Sequence, residues 1–574
     1  MYISEISLIS NYRNLSGLSI KFNKSVNFII GENNIGKTNI LELFNIIFCI
    51  GRFSESDFEN IFNPIKIKLK ISYENDEIGF FEDFFDVNDK NTITIIAEQE
   101  DVDSHIVYYH DTPNCPKINN SIIRKLTVLY YYAQRMPIKE LDFRKSSGSG
   151  KVLNYLVQKS LEDLGLCNAD ILDHSQINII ISQLNTMISE LSNITNDRIS
   201  AYLDPNTENV ISRLLLLGDE SNHNIGSLGV GIQYSFNILL QILDIVYNVK
   251  ITRKDEDFQE RLIIIDGKKY FPIFLLLDEP EIHQHPYRQR NIIKKIIQLI
   301  NNNNSQFNML LHNLFQIDGL IGQIFIVTHS PNILLSDYQQ FIRIYKDHKE
   351  NTLKCVSGVN LNIESNYLKH IFHNYMPLKE AMFSRYVIFV EGDTEMGGIP
   401  EFAKRKNFDL DEHSVGIIKL DGAKGIEKFA KIYSYFQIPY IAVLDRDQES
   451  QYKSVPHVYF TKEIDYEAEI CANFKLTDYF KCCVELEDDL LTPMIKHLIT
   501  KIPDFNPKSF LNDPTSLELN EDLEQVLWDD IKEKQIGFLR KSKNTLTGSI
   551  LAKNVTIIPN VFNNIIELIE KALT

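Results

Sequence analysis

The sequence is short of the devices that small or secreted domains use to hold together. Its seven cysteines, Cys49, Cys115, Cys167, Cys355, Cys471, Cys482 and Cys483, show no CxxC spacing. That excludes a zinc ribbon and fits reduced thiols in a cytosol. No stretch approaches the roughly 18–20 apolar residues of a membrane span, and Met1-Tyr2-Ile3-Ser4-Glu5 is no basic leader. A soluble, cytoplasmic protein with no membrane partner is the expectation. Positive charge is also scarce: 59 Lys and Arg face 77 Asp and Glu, a net charge of −18. A generally basic nucleic-acid coat is excluded, although local phosphate contacts are not. Against these absences, 574 residues with 44% hydrophobic and 24% charged side chains describe an ordinary globular chain too long for one core.

What is present begins with phosphate chemistry. The apolar run Val26-Asn27-Phe28-Ile29-Ile30 leads into Gly31-Glu32-Asn33-Asn34-Ile35-Gly36-Lys37-Thr38, and helical spacing follows from Asn39 to Phe48. This G-x-x-x-x-G-K-T between strand and helix is a phosphate loop. Gly31, Asn34 and Gly36 shape its backbone, Lys37 reaches the β/γ-phosphates of ATP and Thr38 ligates Mg²⁺. Ile65, Ile67, Leu69 and Ile71 alternate with Lys66, Lys68 and Lys70, a half-exposed strand with a solvated lysine face, and Asn91–Glu98 and Ile106–Tyr109 read similarly. After the strand Leu126–Tyr131, Gln134 stands where a magnesium-contacting glutamine sits in ABC-type ATPases. Ser146–Gly150 is flexible punctuation, and helical patterns cover Val152–Leu164 and Ile177–Ile194. Their exposed stripe suits either a dimer contact or packing on its own domain.

Ile225–Gln233, with Ser227 and Gly229, precedes a helix from Tyr234 to Val246 and resembles a loose ABC signature loop, which closes the nucleotide site of a second subunit. Phe274–Leu277 ends in Asp278-Glu279-Pro280-Glu281: Asp278 suits the Mg²⁺ shell, and Glu279 suits orienting or deprotonating the attacking water. His283 and His285-Pro286 fit a loop role better than a metal role. Ile324–Thr328 is followed by His329, the position of the switch histidine in ABC-type ATPases.

A pattern change near Met376-Pro377 predicts an ATPase domain over 1–375, with a helical insert at about 150–215, and a second domain over 376–574. There the buried-strand run Tyr386–Val390 stops at Glu391-Gly392-Asp393-Thr394-Glu395, and Tyr440–Leu444 stops at Asp445-Arg446-Asp447. Strand alternation predicts Asp445 and Asp447 on one side. If the strands are parallel neighbours, Glu391, Glu395, Asp445 and Asp447 converge at their carboxyl ends. Oxygen-only donors suit Mg²⁺ or Mn²⁺. Asp465-Tyr466-Glu467-Ala468-Glu469 adds carboxylates, and Lys532, Lys534, Arg540, Lys541 and Lys543 gather positive charge in a helical tail.

The paired acidic motifs resemble the Toprim domain of topoisomerases, primases and certain nucleases. An ABC-type ATPase followed by Toprim resembles the OLD (overcoming lysogenization defect) family, whose members include the large subunit of the Gabija antiphage system and retron-associated effectors. The resemblance implies an α/β architecture: an ABC-type P-loop ATPase domain with a helical dimerisation insert, then a parallel Toprim sheet flanked by helices. It implies an ATP-regulated, two-metal DNA endonuclease, a homodimer or higher oligomer, acting in antiphage defence beside a partner such as a UvrD-like helicase or a retron reverse transcriptase with its single-stranded DNA. Glu391, Glu395, Asp445, Asp447 and Glu467 become the metal ligands. Lys543, with Lys541 as competitor, becomes the transition-state lysine. Asp421-Gly422 departs from the glycine pair of that family. The alternatives are an ATP-gated DNA clamp of the SMC kind, for which the long heptad arms are missing, and another Toprim enzyme such as a topoisomerase.

Overall fold

A computed structural model describes residues 1–73, 91–133, 136–143, 148–165, 174–195, 197–203, 215–252, 255–334, 337–347, 350–362, 376–420, 422–486 and 491–573. The chain separates into two compact units, Met1–Asn362 and Ile363–Thr574. Residues 363–375, which lead up to the boundary expected at Met376-Pro377, Gln134 and Asp421 lie outside the described residues.

In the first unit, apolar β-branched runs form two large sheets, and a small antiparallel pair, Ile199–Leu203 with Leu215–Asp219, ends the segment expected to be wholly helical. The antiparallel one orders Ile20–Lys21, Tyr2–Ser10, Ile65–Ser72, Thr92–Gln99, Val107–His110 and Lys117–Ile118. Along Ile65–Ser72 the isoleucines are buried while Lys66, Lys68 and Lys70 pair with Glu98 (3.3 Å), Asp111 (2.9 Å) and Glu5 (3.2 Å). The expected lysine face is therefore solvated and charge-paired. Thr92–Gln99 differs from the expected half-exposed strand: almost every residue is buried, because it pairs with a strand on each side.

The second sheet orders Ile263–Ile265, Lys268–Asp278, Gly319–Val327, Val26–Gly31, Phe341–Asp347 and Thr352–Ser357, with Thr127–Tyr131 also on Lys268–Asp278. Its inner pairs are parallel, so Gly31, Asp278 and Val327 end at one edge. Ligands of open α/β sheets bind outside such an edge. Phe22, Phe44, Phe274 and Phe325 fill the space between this sheet and the Lys37–Asn45 helix.

Helix limits shift where periodicity alone placed them. The helix after the phosphate loop begins at Lys37 and turns into a π-helix over Ile46–Ile50. Ser149 and Gly150, expected as flexible punctuation, are the buried first turn of Ser149–Leu164, since the Ser149 hydroxyl accepts from Asn237 (3.0 Å) and Gln241 (3.1 Å). The helix expected over Tyr234–Val246 runs from Val230 to Thr252. Its span Val230–Ile251 is long and apolar enough to cross a membrane by length and composition, against the expectation of no such stretch, but 83% of the apolar window is buried. It is the core helix on which Ser149–Leu164 and His174–Thr195 pack, with the Tyr155 and Tyr247 rings 4.7 Å apart. Ile177, Ile180, Leu184, Ile188, Leu191 and Ile194 are buried inside this unit, the packing use of that stripe.

In the second unit four parallel strands order Val415–Lys419, Tyr386–Val390, Tyr440–Leu444 and Val458–Phe460. The first strand in sequence is central, so the chain reverses its direction of growth beside it, the place where doubly wound sheets bind ligands. Helices of the tail complete the core, where the Trp528 indole N–H donates to the Cys471 carbonyl at 3.0 Å.

Candidate functional site

The phosphate loop stands on a fully buried strand. Gly36 has φ +94°, and a Cβ there would meet the Asn14 side chain at 2.7 Å, so only glycine gives the loop both its left-handed turn and its neighbour. Lys37 is buried and turned back, donating to the carbonyls of Gly31 (3.1 Å) and Glu32 (2.6 Å). Burial pushes its ammonium down to about 8, against the pull of Glu279, Asp278 and Glu32. The Thr38 hydroxyl donates to Asp278 Oδ1 at 3.2 Å, which joins the two magnesium-type residues across 240 positions of sequence. Burial raises the Asp278 carboxyl to about 6, although the Thr38 bond opposes that shift. His329 Nε2 lies 3.5 Å from Glu279 Oε1, and burial lowers its basicity. The buried Glu281 accepts from the Thr328 hydroxyl (2.6 Å) and the His329 N–H (3.0 Å), holding the histidine's backbone.

Asn34, in the loop, takes the left-handed conformation at φ +58°. Ser227 and Gly229 are exposed on a separate segment; the Ser227 hydroxyl donates to the Asn224 carbonyl at 2.7 Å, and no hydrogen bond joins either residue to the phosphate loop among the described residues. His283 has φ +60° and His285 caps the Pro286–Ile300 helix, both loop roles. Arg13 and Asn14 escaped the sequence reading. Asn14 donates to the Ile35 carbonyl at 3.1 Å, and Arg13 binds Asn39 (2.7 Å), Asp57 (2.8 Å) and Glu42, bracing the loop from outside. A Tyr-Arg-Asn turn just upstream of a phosphate-loop strand was the available signal.

In the second unit Tyr386–Val390 and Tyr440–Leu444 are parallel neighbours, and Glu391 and Asp445 emerge side by side: the Asp445 N–H donates to Glu391 Oε2 at 3.1 Å. Glu395, on the Asp393–Arg405 helix, and Glu467, on Tyr466–Ala472, are buried. Asp447 is not placed by strand alternation as expected. The strand stops at Leu444, and Asp447 sits in the 3₁₀ turn Arg446–Gln448, exposed; burial raises the affinity of Glu391 for a proton, and the charge of Asp447 adds to it. Lys543, rather than Lys541, reaches the carboxylates, with Nζ 2.7 Å from Glu467 Oε2 and 3.6 Å from Asp465 Oδ2. Lys541 lies over the Phe538 ring, Arg540 binds Asp465 and Lys532 pairs with Asp529, so the basic tail is dispersed. Burial and then the charges of Glu395 and Glu391 raise Asp445 to about 8. Burial raises Glu395 to about 7, with Glu467 adding to the shift.

Whether this set fits divalent cations can be judged from its unmet needs. Asp445 Oδ1 and Glu467 Oε1 are buried without a hydrogen-bond partner among the described residues. Carboxylates forced towards neutrality and left with orphaned oxygens lack countercharge. All donors are hard oxygens, as Mg²⁺ and Mn²⁺ require. Among the described residues no three such side chains are already gathered for one ion. The donor chemistry fits, and ligation requires side-chain closure. A cavity of about 630 Å³ lies elsewhere, beside Glu380, Glu401 and Val415, and includes none of these carboxylates.

Residues 382–447 match the Toprim domain of overcoming-lysogenization-defect-like proteins, and residues 1–148 and 82–334 match an AAA ATPase domain. The chain has the ATPase–Toprim architecture of the OLD family. Its curated relatives include the DNA replication and repair protein RecF of Francisella tularensis subsp. novicida, 41% identical over 81 residues, 14% of this chain. The match spans only 23% of that relative's length. Among solved structures, an Smc head bound to the winged-helix domain of ScpA covers 64% of this chain and 99% of its own, at 15% identity and TM-score 0.37. The C-terminal region of the Xanthomonas campestris pv. campestris OLD protein covers 34% of this chain and 96% of its own, at 21% identity and TM-score 0.19. The chain thus has a P-loop ATPase domain followed by a Toprim domain with a helical C-terminal part.

Proposed function

We propose that the chain is an ATP-regulated, divalent-metal-dependent DNA endonuclease, an antiphage effector working in the cytoplasm as a homodimer or higher oligomer. The observation that carries this reading is the pair of half-buried carboxylates, Glu391 and Asp445, at the ends of two adjacent parallel strands, joined by the buried Glu395 and Glu467 of neighbouring helices, with Asp445 Oδ1 and Glu467 Oε1 orphaned. Glu391, Glu395, Asp445, Asp447 and Glu467 hold Mg²⁺ or Mn²⁺. Two bound cations would supply an activated water and neutralise charge on the leaving oxygen. Lys543, already drawn to Glu467, meets the charge that develops on the phosphate.

The domains divide as 1–375 for the ATPase, with the helical insert at about 150–215 beside the dimer contact, and 376–574 for the nuclease. ATP occupies Gly31, Asn34, Gly36 and Lys37; Thr38 and Asp278 hold its Mg²⁺, Glu279 orients water, and His329 senses the γ-phosphate through Glu279. The exposed Ser227 and Gly229 close the site of a second subunit. The antiphage role rests on family likeness, and its partner is a helicase or reverse transcriptase of the same defence system.

The test incubates purified protein with supercoiled plasmid and Mg²⁺ or Mn²⁺. Nicking or linearisation is expected, and Glu391→Ala and Asp445→Ala should each abolish it while far-UV circular dichroism stays unchanged. Equal cleavage by parent and both variants would remove these carboxylates from the reaction.

A further inference from the structure

The carboxylate cradle is a poor surface for DNA taken alone, because its acids repel the phosphates they are proposed to cleave, in a chain of net charge −18. The order of the second unit's sheet shows how that repulsion is offset. Its four strands are parallel, so their carboxyl ends form one edge, reading across as Lys419, Glu391, Asp445 and, two residues past Phe460, Lys462. With strands about 4.8 Å apart this row spans about 14 Å, acids in the centre and a cation at each end.

Each end is reinforced. Lys419 Nζ is 3.0 Å from Asp393 Oδ1, at the start of the helix that carries Glu395. Just beyond, the turn Ala423–Gly425 and the helix Ile426–Tyr435 present Lys424, Lys428 and Lys431 at spacings of four and three, one helical face, edged by Glu427. The other face of that helix is committed to the sheet through Phe429 and Tyr433, whose rings lie 6.1 and 5.5 Å from that of Phe389. Lys424 and Lys431 are therefore turned to solvent and exposed, with no ion pair among the described residues. At the opposite end Arg446 and Lys462 are both exposed, and the Arg446 guanidinium donates to the Lys462 carbonyl at 2.5 Å, which fixes it over the last strand.

The geometry points to two phosphate clamps, Lys419–Lys424–Lys431 on one side and Arg446–Lys462 on the other, which hold the DNA backbone flanking the phosphate that rests on the carboxylates. The assignment of the central phosphate rests on the nuclease reading; the clamps themselves are tested by binding alone. Lysines act as point charges towards phosphate, whereas Arg446 offers a planar fork, so the second clamp defines the backbone direction more tightly.

The experiment uses the full chain carrying Glu391→Ala, in Mg²⁺, and follows the anisotropy of a labelled duplex of about 30 base pairs over a salt series. Lys424→Gln/Lys431→Gln and Arg446→Gln/Lys462→Gln should each weaken binding by about tenfold near 0.1 M salt and reduce the slope of log K against log salt by about 1.8, at about 0.9 per lost phosphate contact. Lys496→Gln/Lys508→Gln, an equal loss of charge in the helical region, should leave both unchanged. Unaltered slopes in the two clamp variants, a matching loss in the control, or no duplex binding by the parent would each overturn the clamps. Failure of the nuclease reading looks different: the chain with Glu391 intact cleaves nothing in any metal, while the clamp variants still change the salt slope.

Discussion

Gly548→Ala perturbs the joint that holds Lys543 against the carboxylates. The helix Asp393–Arg405, bearing Glu395, packs on Thr545–Asn554, which begins two residues after Lys543. They approach backbone to backbone: a Cβ on Gly548 would lie 1.9 Å from the Thr394 carbonyl oxygen, and one on Gly397 would lie 1.9 Å from that of Thr545. Neither oxygen can swing away as a side chain could, so the alanine methyl must drive the helices apart by about 1.5 Å to reach ordinary contact. Overpacking of this kind costs about 1–3 kcal/mol, and alanine returns up to about 1 kcal/mol of helix propensity, leaving a loss of about 1–2 kcal/mol. For a domain of this size that lowers the melting temperature by about 2–8 °C. The functional effect should be larger than the thermal one, since a misplacement of about 1 Å in a catalytic group costs about a hundredfold. Differential scanning calorimetry and plasmid nicking by the same preparation separate the two. Gly537→Ala is the control, because nothing lies within 4 Å of its Cβ; it should gain stability and keep its cleavage. If Gly548→Ala melts and cleaves like the parent, the close approach does not position Lys543 and the reasoning is wrong.

Lys37→Ala should weaken ATP binding by more than about tenfold, or about 1.4 kcal/mol, by calorimetry; equal affinity would show that the loop binds without its lysine. In EDTA the second unit should lose stability as pH rises from about 5 to 8. Asp445 and Glu395 are raised to about 8 and about 7 when folded, so their contribution is whole below the unfolded values near 4 and is lost as they ionise. Asp445→Asn should flatten the melting curve against pH. Mg²⁺ should restore stability most at the alkaline end; a melting temperature independent of pH in EDTA contradicts the burial argument. Cleavage rates with no nucleotide, ADP and a non-hydrolysable ATP analogue should differ in the parent and in Glu279→Gln. Equal rates with binding confirmed would separate the ATPase from the nuclease.

Local sequence determined the pieces because their physics is local. A phosphate loop needs its glycines and lysine within eight positions, so Gly31–Thr38 was legible at once. Buried strands ending in acids announced Asp278, Glu391 and Asp445, since a β-branched run and an abrupt carboxylate are both readable in one dimension. The order of these motifs carried the family and both folds. Tertiary structure alone decided what each piece meets. Thr38 and Asp278 join because Val26–Gly31 and Lys268–Asp278 flank the same strand of a parallel sheet, a pairing no window contains. Lys543 rather than Lys541 faces the acids because Gly548 and Gly397 let two helices touch, and Asp447 leaves strand alternation because its strand ends three residues earlier. Arg13 and Asn14 passed unnoticed for the same reason: a side chain that braces a distant loop has no periodicity to betray it. Hydrophobic patterning specifies which face is buried, but the partner across that face depends on chain crossings hundreds of residues long, and those are settled only when the whole core packs.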